Sequence, residues 1–215
     1  MHTEIHLLNI KSRLNDPVDK YLKYFSPERQ KNILRYKFSS DRNRTLCAEL
    51  FAKKLISDFT GEKFDEIKIL RAPTGKPYCE IPEVYFSLSH SGDWIACSIG
   101  DVINGVDIEN ENRNMNLDVA KRFFLPNEYS TLKNLYYSGI NWKRKFFCYW
   151  TLKESYLKCM NINNWSDVDC EKLLSGNEEI SGCNFLVDNE YILGCCTSKE
   201  SLPKNFQIDI MNKIF

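Results

Sequence analysis

Apolar and polar residues alternate through EIHLLNI (residues 4–10), and a period of two predicts an opening β-strand. The period then changes. SPERQKNILRY (26–36) predicts a helix, with Ser26 as N-cap, Pro27 at its first position and Glu28 in its first turn. Leu46, Leu50 and Leu55 form a stripe at helical spacing, which predicts a longer helix over 41–61 that starts at Asp41 and stops at Gly61. IKILRAPTGKPYC (67–79) reads as a strand followed by a Pro/Gly turn at 73–77. VYFSLSHSGDWIACSIGDVINGVDIE (84–109) reads as strands separated by turns at Ser91-Gly92, Gly100-Asp101 and Asn104-Gly105. LDVAKRFFLPNEYSTLKNL (117–135) is helical with a break at Pro126, and FFCYWTLKESYLKCMN (146–161) is a further helix. EYILGCCTS (190–198) and FQIDIM (206–211) close the chain as strands.

Strand, helices and strands thus occur twice, which predicts an α+β fold of two similar halves, residues 1–103 and 104–215. A short echo accompanies the division: FSPE (25–28) and FLPNE (124–128) each open a helical stretch, and each precedes a longer helix containing Thr-Leu. No low-complexity linker separates the halves, so they are expected to pack on each other.

At 215 residues, 43% hydrophobic and 13% aromatic, the chain can bury a sizeable core. Its formal net charge is zero, and no apolar run is long enough to span a bilayer, so neither nucleic acid nor membrane is expected as a partner. The charge is nevertheless unevenly spread. Lys20–Lys54 holds ten Lys/Arg against three acidic residues, whereas Asp101–Asn112 holds four acidic residues and no basic one. That asymmetry suits a phosphate-rich ligand held partly through a metal ion. Nine cysteines without a CxxC pair or a signal peptide point to free thiols in a reducing cytoplasm. Three histidines are few for a zinc site.

Several short constellations could carry chemistry. In GVDIE (105–109), Asp107 and Glu109 share one face of a strand, where two carboxylates repel unless a cation lies between them. Oxygen donors of this kind suit Mg²⁺, although a solvated acidic face is the ordinary alternative. Glu154 and Lys158 are four residues apart on one helix face, either as a surface ion pair or as a metal ligand or base beside a phosphate partner. Ser89 and His90 in FSLSHSG could donate hydrogen bonds to phosphate, and Lys76 stands on the rigid PTGKP turn. Arg29, Lys31, Arg42 and Arg44 are either a solvated basic face or phosphate clamps.

The order of these pieces is more specific than any one of them. A basic N-terminal segment, GKP, SHSG, GVDIE and W-x-x-KES-x-x-K resemble the 4′-phosphopantetheinyl transferases of the surfactin-synthetase-activating type, from about Phe25 to Lys158. The resemblance implies the α+β fold of that family, with two similar halves packed as a pseudo-dimer in a monomer with internal pseudo-two-fold symmetry. It implies transfer of the phosphopantetheine arm of coenzyme A to a serine of an apo acyl or peptidyl carrier protein, releasing adenosine 3′,5′-bisphosphate. The carriers would belong to peptide, polyketide or fatty-acid synthases. By the same resemblance Asp107, Glu109 and Glu154 hold Mg²⁺, and Glu154 or a metal-bound water takes the serine proton. Lys158 neutralises phosphate oxygens and Lys153 helps to position them. Ser89 and His90 contact the phosphates, Arg29 and Arg44 the 3′-phosphate, and Gly75, Lys76 and Pro77 cradle the adenine. Trp150 packs beside the catalytic helix, and Glu128 matches an acidic helix start. Residues 112–126, mixed basic and apolar, are expected to meet the carrier. The rival readings are a metal-dependent hydrolase of CoA-like pyrophosphates and a non-catalytic module that binds CoA or the carrier.

Overall fold

The chain runs β1 (Thr3–Asn9), a single 3-10 turn, α1 (Asp19–Leu22), α2 (Pro27–Leu34), α3 (Ser39–Thr60), β2 (Leu70–Arg71), β3 (Pro77–Tyr78), β4 (Tyr85–Ser91), β5 (Trp94–Gly100) and β6 (Asn104–Asn110). It continues through α4 (Leu117–Phe123), α5 (Pro126–Tyr137), α6 (Trp142–Met160), α7 (Cys170–Ser175), β7 (Ile180–Val187), β8 (Tyr191–Ser198), a second 3-10 turn and β9 (Gln207–Asp209). The computed structural model describes residues 2–14, 19–165 and 167–209.

Local chemistry accounts for most boundaries. Ser26 caps α2, its hydroxyl accepting from the Arg29 N–H at 3.3 Å, and Pro27 takes the first helical position. Gly61 ends α3 with a left-handed φ of 79°, as its sequence predicts. The start of α3 differs from expectation. It begins at Ser39, and Asp41 lies in the first turn, where it pairs with Arg44 at 2.7 Å instead of capping. Pro126 opens α5 after a break, and α6 begins at Trp142, four residues before the expected start. Of FQIDIM, Gln207–Asp209 is strand, and Ile210 and Met211 lie outside the described residues.

Two sheets carry the architecture. One has the order β4-β5-β1-β9 and the other β6-β8-β7, with β2 and β3 as a separate hairpin. Alternation in each strand divides its side chains between two cores. Leu8 of β1 and Ile95, Cys97 and Ile99 of β5 pack under α3 with Phe51 and Ile56. Ile5, Leu7, Trp94 and Ala96 face the other way and meet Val106, Ile108, Leu193 and Cys195, so the two sheets pack face to face. On the far side of the second sheet, Ile192 and Cys196 pack under α6 with Phe147 and Leu152. The order of layers is helix, sheet, sheet, helix. Cys195 and Cys196 accordingly fall in different cores. β9 leaves the second half and pairs in parallel with β1, from His6–Gln207 to Leu8–Asp209.

Candidate active site

The edge strand β4 runs beside β6, and its serines supply the contacts. The Ser87 hydroxyl accepts from the Val106 N–H at 3.2 Å, and Ser91 accepts from the Asn110 N–H at 3.2 Å. Ser89 donates to Asp107 Oδ1 at 2.7 Å and Ser91 to Glu109 Oε2 at 3.0 Å. The period of two thus aims both carboxylates at one row of hydroxyls.

Helix α6 crosses β6 at Gly105. A Cβ there would lie 1.9 Å from the Ser155 carbonyl oxygen and 2.5 Å from the Cys159 nitrogen, so only glycine permits this approach. The crossing brings the Glu154–Lys158 face over the strand. Lys158 Nζ donates to the Val106 carbonyl at 3.0 Å and to Asp107 Oδ1 at 2.8 Å. The other carboxylate oxygen, Asp107 Oδ2, is buried without a hydrogen-bond partner among the described residues. Arg113 pairs with Glu109 at 2.5 Å.

Charge accumulates at this point. Burial, the Asp107 charge and, less strongly, Glu109 push the Glu154 carboxyl above its ordinary value, with Lys158 opposing them. Burial also raises Glu109, opposed by its hydrogen bond to Arg113 and reinforced by Asp107. Excess negative charge and an orphaned Asp107 oxygen are what a hard cation would relieve, and the donors are the carboxylate oxygens that Mg²⁺ prefers. The donor chemistry at Asp107 therefore suits a divalent ion. No three His, Cys, Asp or Glu among the described residues stand close enough to hold a metal.

A cleft of about 300 Å³ adjoins the carboxylates, lined by Arg71, Gly75, Lys76 and Pro77 from the first half and by Glu154 and Lys158 from α6. Gly75 takes a left-handed φ of 88° in the turn. The Lys76 ammonium reaches the Asn104 carbonyl at 3.3 Å, and burial followed by the Lys158 charge holds its pKa below the ordinary value. His90 lies on the opposite side of β4 from the serine row. Its surroundings, then Arg44 and Lys158, lower its pKa. Arg44 Nε donates to the Gly92 carbonyl at 3.1 Å.

Comparison with known proteins decides the family. Residues 15–99 match the model "4′-phosphopantetheinyl transferase, N-terminal", and residues 104–210 match the 4′-phosphopantetheinyl transferase superfamily. A 4′-phosphopantetheinyl transferase of Bacillus subtilis is 31% identical over 194 residues, 84% of this chain and 85% of the relative.

The chain belongs to the 4′-phosphopantetheinyl transferase family.

4′-Phosphopantetheinyl transferase Sfp of Bacillus subtilis (strain 168) is 30% identical over 65% of this chain and 62% of its own length. The transferase gsp of Aneurinibacillus migulanus is 31% identical over 63% of this chain and 55% of its own length. These two matches therefore span less than two thirds of the relatives' length. The layered arrangement described above is the α+β fold of the transferase family.

Of the residues read from the sequence as ligand contacts, Lys153 and Arg29 are engaged by buried carboxylates. Lys153 is a correction. Neighbours on a helix point about 100° apart, so Lys153 turns away from the cleft that Glu154 faces. It is 0% exposed, lies 2.9 Å from Glu128 Oε2, and donates to the Val168 carbonyl. It cannot touch a ligand in the cleft. Glu128 itself accepts from the Leu125 N–H that opens α5 and from the Cys170 N–H that opens α7, each at 2.9 Å. Arg29 Nε donates to Glu49 Oε2 at 3.1 Å, outside the cleft lining but in an adjoining hollow with Lys23 and Lys53.

Arg71 is the cation that sequence reading missed. It lines the cleft and also pairs with buried Glu49, so Glu49 holds Arg29 and Arg71 together. Its only sequence signal is a position five residues before Lys76. Arg113, a partner of Glu109, was likewise not distinguishable from a surface polar residue, whereas Ser91, the other partner, lies in the SHSG motif.

Proposed function

We propose that this transferase moves the 4′-phosphopantetheine arm of coenzyme A to the serine hydroxyl of an apo acyl or peptidyl carrier protein. The serine oxygen forms a bond to the phosphorus that bears the pantetheine arm. The bond from that phosphorus to the bridging pyrophosphate oxygen breaks, and adenosine 3′,5′-bisphosphate leaves. The observation that carries the reading is a cleft lined together by Lys76, Glu154 and Lys158, with Asp107, bonded to Lys158, and Glu109 on the adjoining strand.

Asp107, Glu109 and Glu154 would hold Mg²⁺, which supplies positive charge to a dividing pyrophosphate. Lys158 adds a second cation beside Asp107. Glu154, with its pKa raised by burial, is the group suited to accept the serine proton. Gly75, Lys76 and Pro77 form the wall for the adenine end. Ser89, His90, Arg44 and Arg71 supply donors for phosphate oxygens, with Arg29 one step removed through Glu49. Residues 1–103 thus contribute most of the nucleotide wall, and 104–215 the carboxylates and the catalytic helix.

The carriers are those of peptide, polyketide or fatty-acid synthases, met by the basic and apolar segment 112–126. The enzyme acts as a cytoplasmic monomer with pseudo-two-fold related halves. No helix among the described residues is long and apolar enough to cross a membrane.

Release of adenosine 3′,5′-bisphosphate from CoA, followed by chromatography with and without an apo carrier, tests the reaction class. Release that requires the carrier supports transfer. Equal release without it would assign a pyrophosphate hydrolase instead.

A further inference from the structure

The PTGK turn of the first half touches the end of α6 in the second. The Thr74 hydroxyl donates to Asn161 Oδ1 across 87 positions of sequence. Both residues line the cleft between Lys76 and Lys158.

Each side of this contact is braced. In the turn, the Gly75 N–H reaches the Ala72 carbonyl at 2.8 Å and the Ala72 N–H reaches the Lys76 carbonyl at 2.9 Å. Arg71 Nη1 adds a bond to the Gly75 carbonyl at 3.1 Å. The turn therefore moves as one piece, carrying Gly75 and Lys76 with it. On the other side Asn161 closes α6 with φ 55°, its N–H bound to the Leu157 carbonyl. Glycine fits that left-handed position with least strain. Asparagine adds an amide that reaches Thr74.

We propose that Thr74 and Asn161 are positioning residues: their hydrogen bond latches the turn to the end of α6 and so sets the width of the cleft where CoA's nucleotide end binds. The proposal rests on the CoA reading given above. Lys76 Nζ, bound to the Asn104 carbonyl, is a second strut from the turn, reaching β6. The latch lies at the turn, away from the Asp107–Glu109 pair. Releasing it widens the nucleotide wall without displacing Asp107 and Glu109 on β6. The loss therefore falls on ground state and transition state alike, raising KM and leaving kcat.

The test uses Thr74→Val, Asn161→Gly, the double variant and Thr74→Ser. Asn161→Gly keeps the left-handed backbone, so it isolates the side chain from folding, and thermal unfolding of every variant checks this. Calorimetry with CoA and with adenosine 3′,5′-bisphosphate, beside steady-state transfer, gives the readout. Loss of one hydrogen bond predicts Kd about three- to tenfold higher for both nucleotides and KM for CoA raised by the same factor, with kcat unchanged. The double variant should be no worse than either single one, because both remove the same bond. Thr74→Ser should restore wild-type binding. CoA affinity within twofold of wild type in both single variants would overturn the latch. So would equal weakening in Thr74→Ser, or additive losses in the double variant. If wild-type protein itself binds no CoA, the CoA reading fails, and that result is distinct from a latch without effect.

Discussion

The Lys153 ammonium lies 2.9 Å from the Glu128 carboxylate, and neither side chain is exposed at all. Their remaining bonds reach Val168, Leu125 and Cys170, so one ion pair joins α6 to the starts of α5 and α7. Removing one member leaves a buried charge without its counterion. Lys153→Met is expected to lower stability by about 3–5 kcal/mol, measured by urea unfolding. Lys153→Met combined with Glu128→Leu should recover most of that loss, because an apolar pair leaves no unpaired charge. A double variant as unstable as the single one would show that the pair is not the cause.

Gly105 fixes how closely α6 approaches β6. A methyl group would collide with the backbone at Ser155 and Cys159, and a backbone cannot rotate away as a flexible side chain can. Gly105→Ala should cost about 1–3 kcal/mol or more through overpacking. Displacing Glu154 and Lys158 by about 1 Å should lower kcat about 100-fold. Far-ultraviolet circular dichroism with steady-state kinetics separates lost alignment from lost fold, and an unchanged kcat would refute this role.

The tie between β1 and β9 should depend on pH. His6 Nδ1 lies 3.0 Å from Asp209 Oδ2 and Nε2 lies 3.0 Å from Glu4 Oε2. Two carboxylate acceptors require both ring nitrogens to be donors, so the imidazole is charged. Burial opposes the charge, but the hydrogen bonds to Asp209 and Glu4 outweigh it, and the pKa rises above 6.5. Glu4, lowered by its hydrogen bonds to His2 and His6, stays ionised near neutrality. A raised folded-state pKa contributes stability that is complete below the unfolded value and is lost as pH rises through the folded one. Amide exchange over 207–209 should therefore show protection falling from pH 6 to pH 9, after correction for intrinsic rates. His6→Gln should remove that dependence; the same slope in the variant would contradict the assignment.

Part of this site could be read before any fold was known, and the limits have physical causes. The period of two gives Asp107 and Glu109 a common face, and the helical period does the same for Glu154 and Lys158. Spacing alone suggested that Lys158 would pair with Glu154, yet its hydrogen bond goes to Asp107, because a strand 51 positions earlier passes closer. Lys153 was misread because adjacency in sequence is divergence around a helix. Arg29 was assigned from its motif position and charge, and neither reveals that buried Glu49 engages it. The return of β9 to β1 was not legible either: a three-residue parallel strand has no pattern of its own, and its pairing depends on the first sheet having a free edge. Six-residue α7, capped by Asp169, was too short to show a period.

The central claim is transfer of phosphopantetheine at the Asp107–Glu109–Glu154 site, and intact-mass spectrometry of an apo carrier protein tests it most directly. Incubation with this protein, CoA and Mg²⁺ should add the mass of one phosphopantetheine arm to the carrier. EDTA should abolish the gain, and Glu109→Ala should reduce its rate at least about 100-fold, as expected for loss of charge stabilisation at a phosphoryl-transfer site. No mass gain on any of several apo carriers, with CoA bound, would contradict the account.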